Sequence, residues 1–98
     1  MKIESAREEN KLTIKLEGRL DTTSAPELSD ALKLDGVSDL TLDLSGVPYM
    51  SSAGLRCLLT AHKALLANGG SMRLAGVHDI VREVLDMTGF SDFFEIKP

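Results

Sequence analysis

Residues 40–70 read LTLDLSGVPYMSSAGLRCLLTAHKALLANGG, and this stretch decides the fold class. Leucines alternate with polar residues over 40–45, which is the period-two pattern of a half-buried strand. The strand ends at the break Gly46-Val47-Pro48. Leucines then recur at helical spacing over 55–66, and Asn68-Gly69-Gly70 ends that helix. A strand that passes directly into an amphipathic helix predicts an α/β unit.

The residues before this stretch follow the same two patterns. Alternation over 12–17 predicts a strand that ends at Gly18, and a weaker strand precedes it around Ile3. The segment Ser24-Ala25-Pro26-Glu27 matches a capping box with proline near the helix start, so it predicts a first helix that runs up to Gly36. The chain therefore opens with β structure followed by a helix.

The residues after residue 70 complete the alternation. A short strand is predicted over 72–75, a third helix over 80–87 that ends at Gly89, and a final edge strand over 93–96. Strands that alternate with helices at this spacing imply right-handed crossovers between parallel strands. The sequence therefore predicts a single α/β domain over residues 1–98, in which a mixed, mainly parallel β-sheet has its helices packed on one face.

Composition excludes several classes of protein. The chain is 43% hydrophobic and 27% charged, which is typical of a globular domain, and its net charge of −4 argues against a nucleic-acid partner. No apolar run approaches the ~18 residues of a membrane span, so we expect no membrane insertion and a cytoplasmic location. The single Cys57 forms no internal disulfide and, with two distant histidines, no zinc pattern. We expect neither a metal nor a cofactor.

The charge is unevenly distributed along the chain. Residues 44–78 contain no Asp or Glu and carry only Arg56, Lys63 and Arg73. One interpretation is that this stretch is simply rich in core positions. The other is that it creates a local field that tolerates an added anion.

Ser51 and Ser52 stand at the junction between the strand and the longest helix. Serine is favoured as an N-cap, because its hydroxyl accepts from an otherwise unpaired backbone N–H. Only one of the two is needed for that, so the second offers a hydroxyl for phosphorylation beside the positive helix end. Hydrolytic catalysis is disfavoured, because His62 would stand ~15 Å from Ser52 along the helix. We therefore assign no catalytic residue, and Cys57 is interpreted as a small buried side chain.

Several motifs occur in order along nearly the whole chain: Leu16-Glu17-Gly18-Arg19-Leu20-Asp21, Leu42-Asp43-Leu44, Tyr49-Met50-Ser51-Ser52-Ala53-Gly54-Leu55, Gly69-Gly70 with Met72-Arg73-Leu74, and Leu85-Asp86-Met87-Thr88-Gly89. Together they resemble the STAS domain of bacterial anti-sigma factor antagonists. The resemblance implies a small α/β switch protein without enzymatic activity. Its implied partners are a serine-kinase anti-sigma factor, which the unphosphorylated form binds so that the sigma factor is freed, and a serine phosphatase that resets the switch.

The resemblance also implies roles for individual residues. Ser52 corresponds to the serine that the kinase phosphorylates, and Asp21, Ser51, Ala53 and Gly54 form its environment. From the residues alone, Asp21 is equally well explained as a turn-forming residue. The family usually has Asp where this chain has Ser51, which removes a carboxylate beside the acceptor and makes Ser51 a competing acceptor.

A phosphate on Ser52 would lie inside a contact surface that we predict from Tyr49, Met50, Leu55 and Arg56. Desolvating a dianion at such a surface costs more than the helix dipole returns, so the partner would be released. The alternative function is a STAS subunit that scaffolds a transporter or signalling assembly and binds without phosphorylation.

Overall fold

A computed structural model describes residues 1–93 and 95–97. Its strands and helices alternate along the chain in the following order: β1 (Lys2–Glu8), β2 (Lys11–Glu17), α1 (Ala25–Ala31), β3 (Asp39–Gly46), α2 (Ser52–Ala67), β4 (Ser71–Ala75), α3 (Asp79–Met87), a 3₁₀ helix (Phe90–Phe93) and β5 (Glu95–Lys97). The predicted order of strands and helices is confirmed.

The sheet has the strand order β1-β2-β3-β4-β5. β1 and β2 form an antiparallel hairpin, and the later neighbours pair in parallel. One register row crosses the four parallel strands through Ile14, Leu42, Leu74 and Ile96. The predicted mixed, mainly parallel sheet is confirmed.

The core lies on one face of this sheet. Along β2, alternate residues are buried and exposed, and the buried leucines of β3 point the same way. The apolar stripe of α2, which includes Leu58 and Leu65, covers them. The opposite face is polar, and there Arg73 forms ion pairs with Asp39 and Glu95 on the two neighbouring strands. The helices therefore pack on one face, as the alternation predicts.

The first helix is shorter than predicted. α1 ends at Ala31, and Leu32 is its C-cap, with its N–H bonded to the carbonyls of Leu28 and Ser29. The chain then turns so that Val37 is fully buried, and its N–H donates to Leu34 O at 3.0 Å. The helix does not continue to Gly36, because the turn after Leu32 is what brings Val37 into the core.

Periodicity also overestimates the buried face of the helices. Leu66, Ile80 and Met87 fall at apolar positions of the pattern, yet Met87 is 80% exposed and the other two are more than half exposed. The last strand begins at Glu95 instead of Phe93, which ends the 3₁₀ helix, and Phe94 lies outside the described residues.

Candidate functional site

The N-terminus of α2 distinguishes its two serines. Ser51 has extended backbone angles and is the N-cap, and its Oγ accepts from Gly54 N–H at 3.5 Å. Ser52 is the first helical residue, and its side chain is exposed and forms no hydrogen bond with the described residues. The capping role therefore falls to Ser51, which leaves the Ser52 hydroxyl available.

A second segment lies alongside this helix start. Leu20 forms an isolated parallel bridge with Met50. The N–H of Leu20 donates to Tyr49 O at 3.0 Å, and the N–H of Ser51 donates to Leu20 O at 2.8 Å. This pairing places Asp21 at the same end of the sheet as the two serines.

Asp21 organises the turn that leads into α1. Its Oδ1 accepts from the N–H groups of Thr23 and Ser24 at 3.0 and 3.1 Å, and its carbonyl accepts from Ala25 N–H at 2.8 Å. The hydrogen bond from Ser24 N–H lowers the pKa of the Asp21 carboxyl below its ordinary value, with smaller contributions from Thr23 and Arg19. The turn-forming role left open by the sequence is therefore present.

The predicted capping box at Ser24 is wrong. The Ser24 hydroxyl accepts from Asp21 N–H at 2.9 Å and donates to Arg19 O at 2.7 Å, and it makes no cap bond to α1. Ser24 has helical backbone angles, so its hydroxyl points back into the preceding turn. The Asp21 carboxylate binds the N–H groups of Thr23 and Ser24 in the turn before α1, so α1 begins without a side-chain cap.

Gly54 lies where α2 crosses the Leu20 segment. A Cβ added at Gly54 would stand 2.6 Å from Leu20 Cγ and 3.0 Å from Leu20 O. Real Cβ atoms do not approach a branched carbon this closely, and Leu20 is fully buried. The absence of a side chain at Gly54 therefore sets how closely α2 can approach the Leu20 segment.

Two residues of the predicted contact surface are buried. Met50 is 2% exposed and Leu55 is 5% exposed, because the bridge to Leu20 and the apolar face of α2 turn both side chains into the core. Their prediction as contact residues is wrong. Tyr49, at 39% exposure, and Arg56 remain on the surface.

Sequence reasoning missed Arg19 as part of this surface. Its guanidinium lies 4.4 Å from the centroid of the Tyr49 ring, and its Nε lies 3.9 Å from Asp21 Oδ2. This cation–π contact orders the exposed ring beside the start of α2. No local pattern could reveal it, because the contact depends on the pairing of Leu20 with Met50.

Comparison with known proteins assigns the family. The STAS domain profile matches residues 2–98. The chain belongs to the STAS domain family. This STAS domain is 30% identical, over 99% of its length and 93% of the relative, to the anti-sigma-B factor antagonist of Staphylococcus aureus strain NCTC 8325.

Solved structures share the fold of this STAS domain. The unphosphorylated anti-sigma factor antagonist SpoIIAA superposes with a TM-score of 0.82 at 20% identity, covering 99% of this chain and 89% of that one. The phosphorylated form of the same Bacillus protein gives 0.71 at 19% identity, with coverages of 99% and 92%. The Thermotoga maritima protein tm1081, whose structure is described as that of a candidate anti-sigma factor antagonist, gives 0.88 at 18% identity, with coverages of 96% of this chain and 84% of that one.

The described part of the STAS domain shows no cluster of side chains suited to binding a metal ion. Within residues 1–93 and 95–97, no three His, Cys, Asp or Glu side chains gather where they could hold a metal ion. His62 is half-buried within α2, and His78 is the N-cap residue of α3, where its Nε2 lies 2.6 Å from Ser45 O. Among the described helices, none is long and apolar enough to cross a membrane.

The Asp21 carboxylate makes stability depend on acid pH. Because its pKa is lowered on folding, its stabilising contribution is present above the ordinary value of 3.8 and is lost as the pH falls through the lowered value. We expect thermal unfolding to show a smaller acid-induced loss in Asp21→Asn than in the wild type. Asp30→Asn, at an exposed carboxyl of α1, is the control. If the unfolding temperatures of the wild type and of Asp21→Asn fall by the same amount on acidification, the Asp21 carboxylate is not the source of the pH dependence.

The cap bond of Ser51 predicts a modest stability effect. Ser51→Ala removes the acceptor for Gly54 N–H, and since this bond is long at 3.5 Å, we expect a loss of about 0.5–1 kcal/mol in denaturant unfolding. Ser51→Asp keeps an acceptor and should retain the stability. If Ser52→Ala is instead the destabilising variant, the cap has been assigned to the wrong serine.

Proposed function

We propose that this STAS domain is a cytoplasmic anti-sigma factor antagonist. Its unphosphorylated form binds a serine-kinase anti-sigma factor and frees the sigma factor, and phosphorylation on Ser52 switches this binding off until a serine phosphatase removes the phosphate. The observation that carries the proposal is the exposed Ser52 at the first position of α2, beside a serine that already caps the helix. Near full-length similarity to an anti-sigma-B factor antagonist supports the choice of partner.

The surroundings of Ser52 favour a phosphate on the folded protein. The first turn of α2 contains no acidic residue, and its positive end favours an anion. Arg56 follows Ser52 by one helical turn, on the same side, and no described carboxylate lies within ion-pair distance of it. We therefore expect the phosphorylated protein to stay folded.

The same phosphate would disfavour a bound partner. Tyr49, with Arg19 against its ring, and Arg56 form the exposed surface on either side of Ser52 in the chain. A phosphoserine adds a charge of about −1.5 to −2 at neutral pH. Enclosing that charge in an interface costs much of its hydration. Binding is therefore lost while the fold is kept, as expected of a regulatory binding protein and not of an enzyme.

Ser51, in place of the Asp usual in the family, does not compete strongly as an acceptor. Its Oγ is engaged with Gly54 N–H in the cap and the residue is half-buried, so it is less accessible to a kinase than the exposed Ser52 hydroxyl. A serine also caps the helix without a carboxylate. The kinase would therefore act on Ser52. The carboxylate that is usual in the family at the position of Ser51 is missing, and this affects the rate of phosphate transfer.

Displacement of the sigma factor tests the function directly. The anti-sigma factor encoded in the same genome is loaded with its sigma factor, and this STAS domain is then added in excess. We expect size-exclusion chromatography to show free sigma factor, and ATP to reverse the release as intact mass spectrometry detects one added phosphate. A sigma factor that stays bound, with no phosphate transferred, would overturn the proposal in favour of a constitutive scaffold.

A further inference from the structure

β1 forms one edge of the sheet, and no described segment pairs with its outer side. It spans seven residues, contains no proline, and pairs with β2 over its whole length without a bulge. Short length, prolines and bulges are features that commonly keep an edge strand from pairing with another chain. The outer side of β1 can therefore accept a further strand.

The turn between β1 and β2 fixes which backbone groups of β1 face outwards. Glu8 pairs with Lys11 across a two-residue turn, and such a turn is closed by a hydrogen-bonded pair. Hydrogen-bonded and non-hydrogen-bonded pairs alternate along an antiparallel ladder. The backbone N–H and C=O groups of Ile3, Ser5 and Arg7 therefore point away from β2, toward the open edge.

Opposite charges face each other on the polar face of this hairpin. Across β1 and β2, Lys2 faces Glu17, and Glu8 faces Lys11. Lys2 is exposed, and its Nζ lies 3.4 Å from the Glu4 carboxylate on the same strand. Exposed ion pairs of this kind are weak, so Lys2 remains available to a further carboxylate. One end of β1 thus carries a cation and the other end an anion.

These charges select one register for two antiparallel copies of β1. A two-fold axis at Ser5 overlaps the whole strand and places Lys2 of each copy opposite Glu8 of the other. Moving the axis to Glu4 places that residue opposite itself, and moving it to Ala6 places Glu4 opposite Glu8. Like charges directly opposite each other destabilise a sheet. Among the registers that overlap most of β1, only the one centred on Ser5 pairs opposite charges.

We propose that a second copy of this chain binds along β1, about a two-fold axis at Ser5, so that the two five-stranded sheets become one continuous sheet. The outward-facing backbone groups supply about six hydrogen bonds between the copies. A row of alternating charge then crosses the contact, from Lys11 and Glu8 of one copy to Lys2 and Glu17 of the other. The charges that would repel other strands therefore hold this one in register.

The dimer leaves both candidate phosphorylation sites accessible. Ser52 follows β3, and β2 lies between β3 and the edge formed by β1. Because the two β1 strands run antiparallel, the β3 strands of the two copies point in opposite directions. The two Ser52 residues then lie at opposite ends of the joined sheet. The inference is thus independent of the proposed function, and either can fail alone.

A proline on the two-fold axis tests the contact. Ser5→Pro removes an N–H that faces the open edge, which an edge strand tolerates, and takes away the central hydrogen-bonded pair between the copies. We expect sedimentation equilibrium up to ~1 mM protein to show a wild-type dimer, and a dissociation constant ~10-fold or more higher for Ser5→Pro. Circular dichroism checks that Ser5→Pro is folded.

Charge exchange tests the register, also if Ser5→Pro fails to fold. Lys2→Glu places a carboxylate opposite Glu8 and should weaken dimerisation ~3- to 10-fold. Lys63→Glu, which makes the same charge change at an exposed residue of α2, should alter it less than ~2-fold. The double variant Lys2→Glu/Glu8→Lys should recover most of the affinity. Within each copy it places like charges across β1 and β2, so the recovery can come only from the contact between copies.

Several outcomes would overturn the inference. A wild type that stays monomeric at ~1 mM has no such contact. A folded Ser5→Pro variant that dimerises as strongly as the wild type would place the contact elsewhere on the molecule. A double variant as weak as Lys2→Glu would refute the register centred on Ser5. A monomeric wild type whose β1 amides become protected from hydrogen exchange only when the anti-sigma factor binds would assign the edge to that protein.

Discussion

Incubation with the kinase anti-sigma factor and ATP is expected to add one phosphate to the wild-type STAS domain and none to Ser52→Ala. The physical reason is that the two serines at the start of α2 have different roles. Ser51 Oγ accepts from Gly54 N–H, whereas the exposed Ser52 hydroxyl has no described hydrogen-bond partner. Intact mass spectrometry measures the outcome. Because alanine keeps the uncharged surface, Ser52→Ala should remain bound to the kinase after ATP is added.

The matched variant Ser51→Ala should still be phosphorylated, because it retains the Ser52 hydroxyl. Ser52→Asp should bind the anti-sigma factor more weakly than the wild type, since it adds charge to the contact with fewer hydrogen-bond acceptors than phosphate. Peptide mapping that finds the phosphate on Ser51 would refute the assignment of the acceptor. Equal binding by Ser52→Ala and Ser52→Asp would show that charge at this position does not control the complex.

Gly54→Ala should lower the free energy of unfolding by about 2 kcal/mol, although alanine is the better helix former by ~1 kcal/mol. The added Cβ would stand 2.6 Å from Leu20 Cγ, so either α2 or the Leu20 segment must shift. A shift of that segment strains the hydrogen bonds that join Leu20 to Tyr49 and Ser51. Denaturant unfolding measures the loss, and Ser52→Ala, on the exposed side of the same turn, should stay within about 0.5 kcal/mol of the wild type.

A double-mutant cycle isolates this contact. Leu20→Ala alone should cost about 2–5 kcal/mol, because the leucine is fully buried. It also opens space for the alanine methyl, so the double variant Leu20→Ala/Gly54→Ala should lose less than the sum of the two single losses. Strict additivity, or a Gly54→Ala variant as stable as the wild type, would mean that the close approach imposes no constraint.

Much of the fold was predictable because it is encoded in local spacing. Alternating leucines specify β2 and β3, and the leucines over 55–66 specify α2, because periods of two and 3.6 residues place apolar side chains on one face. The serine pair before α2 likewise indicated a cap, and the structure assigns it to Ser51. These inferences require only residues that are close together in the sequence.

The remaining features depend on pairs that are far apart in the sequence. The end of α1 at Ala31, the burial of Met50 and the stacking of Arg19 on Tyr49 all follow from how the segments pack. Local patterns were enough to predict the order of strands and helices and the position of the candidate serines. Which residues around the two serines reach the surface depends on tertiary packing, because their burial follows from the Leu20–Met50 bridge and from the contact of α1 with α2, and neither leaves a periodic pattern in the sequence.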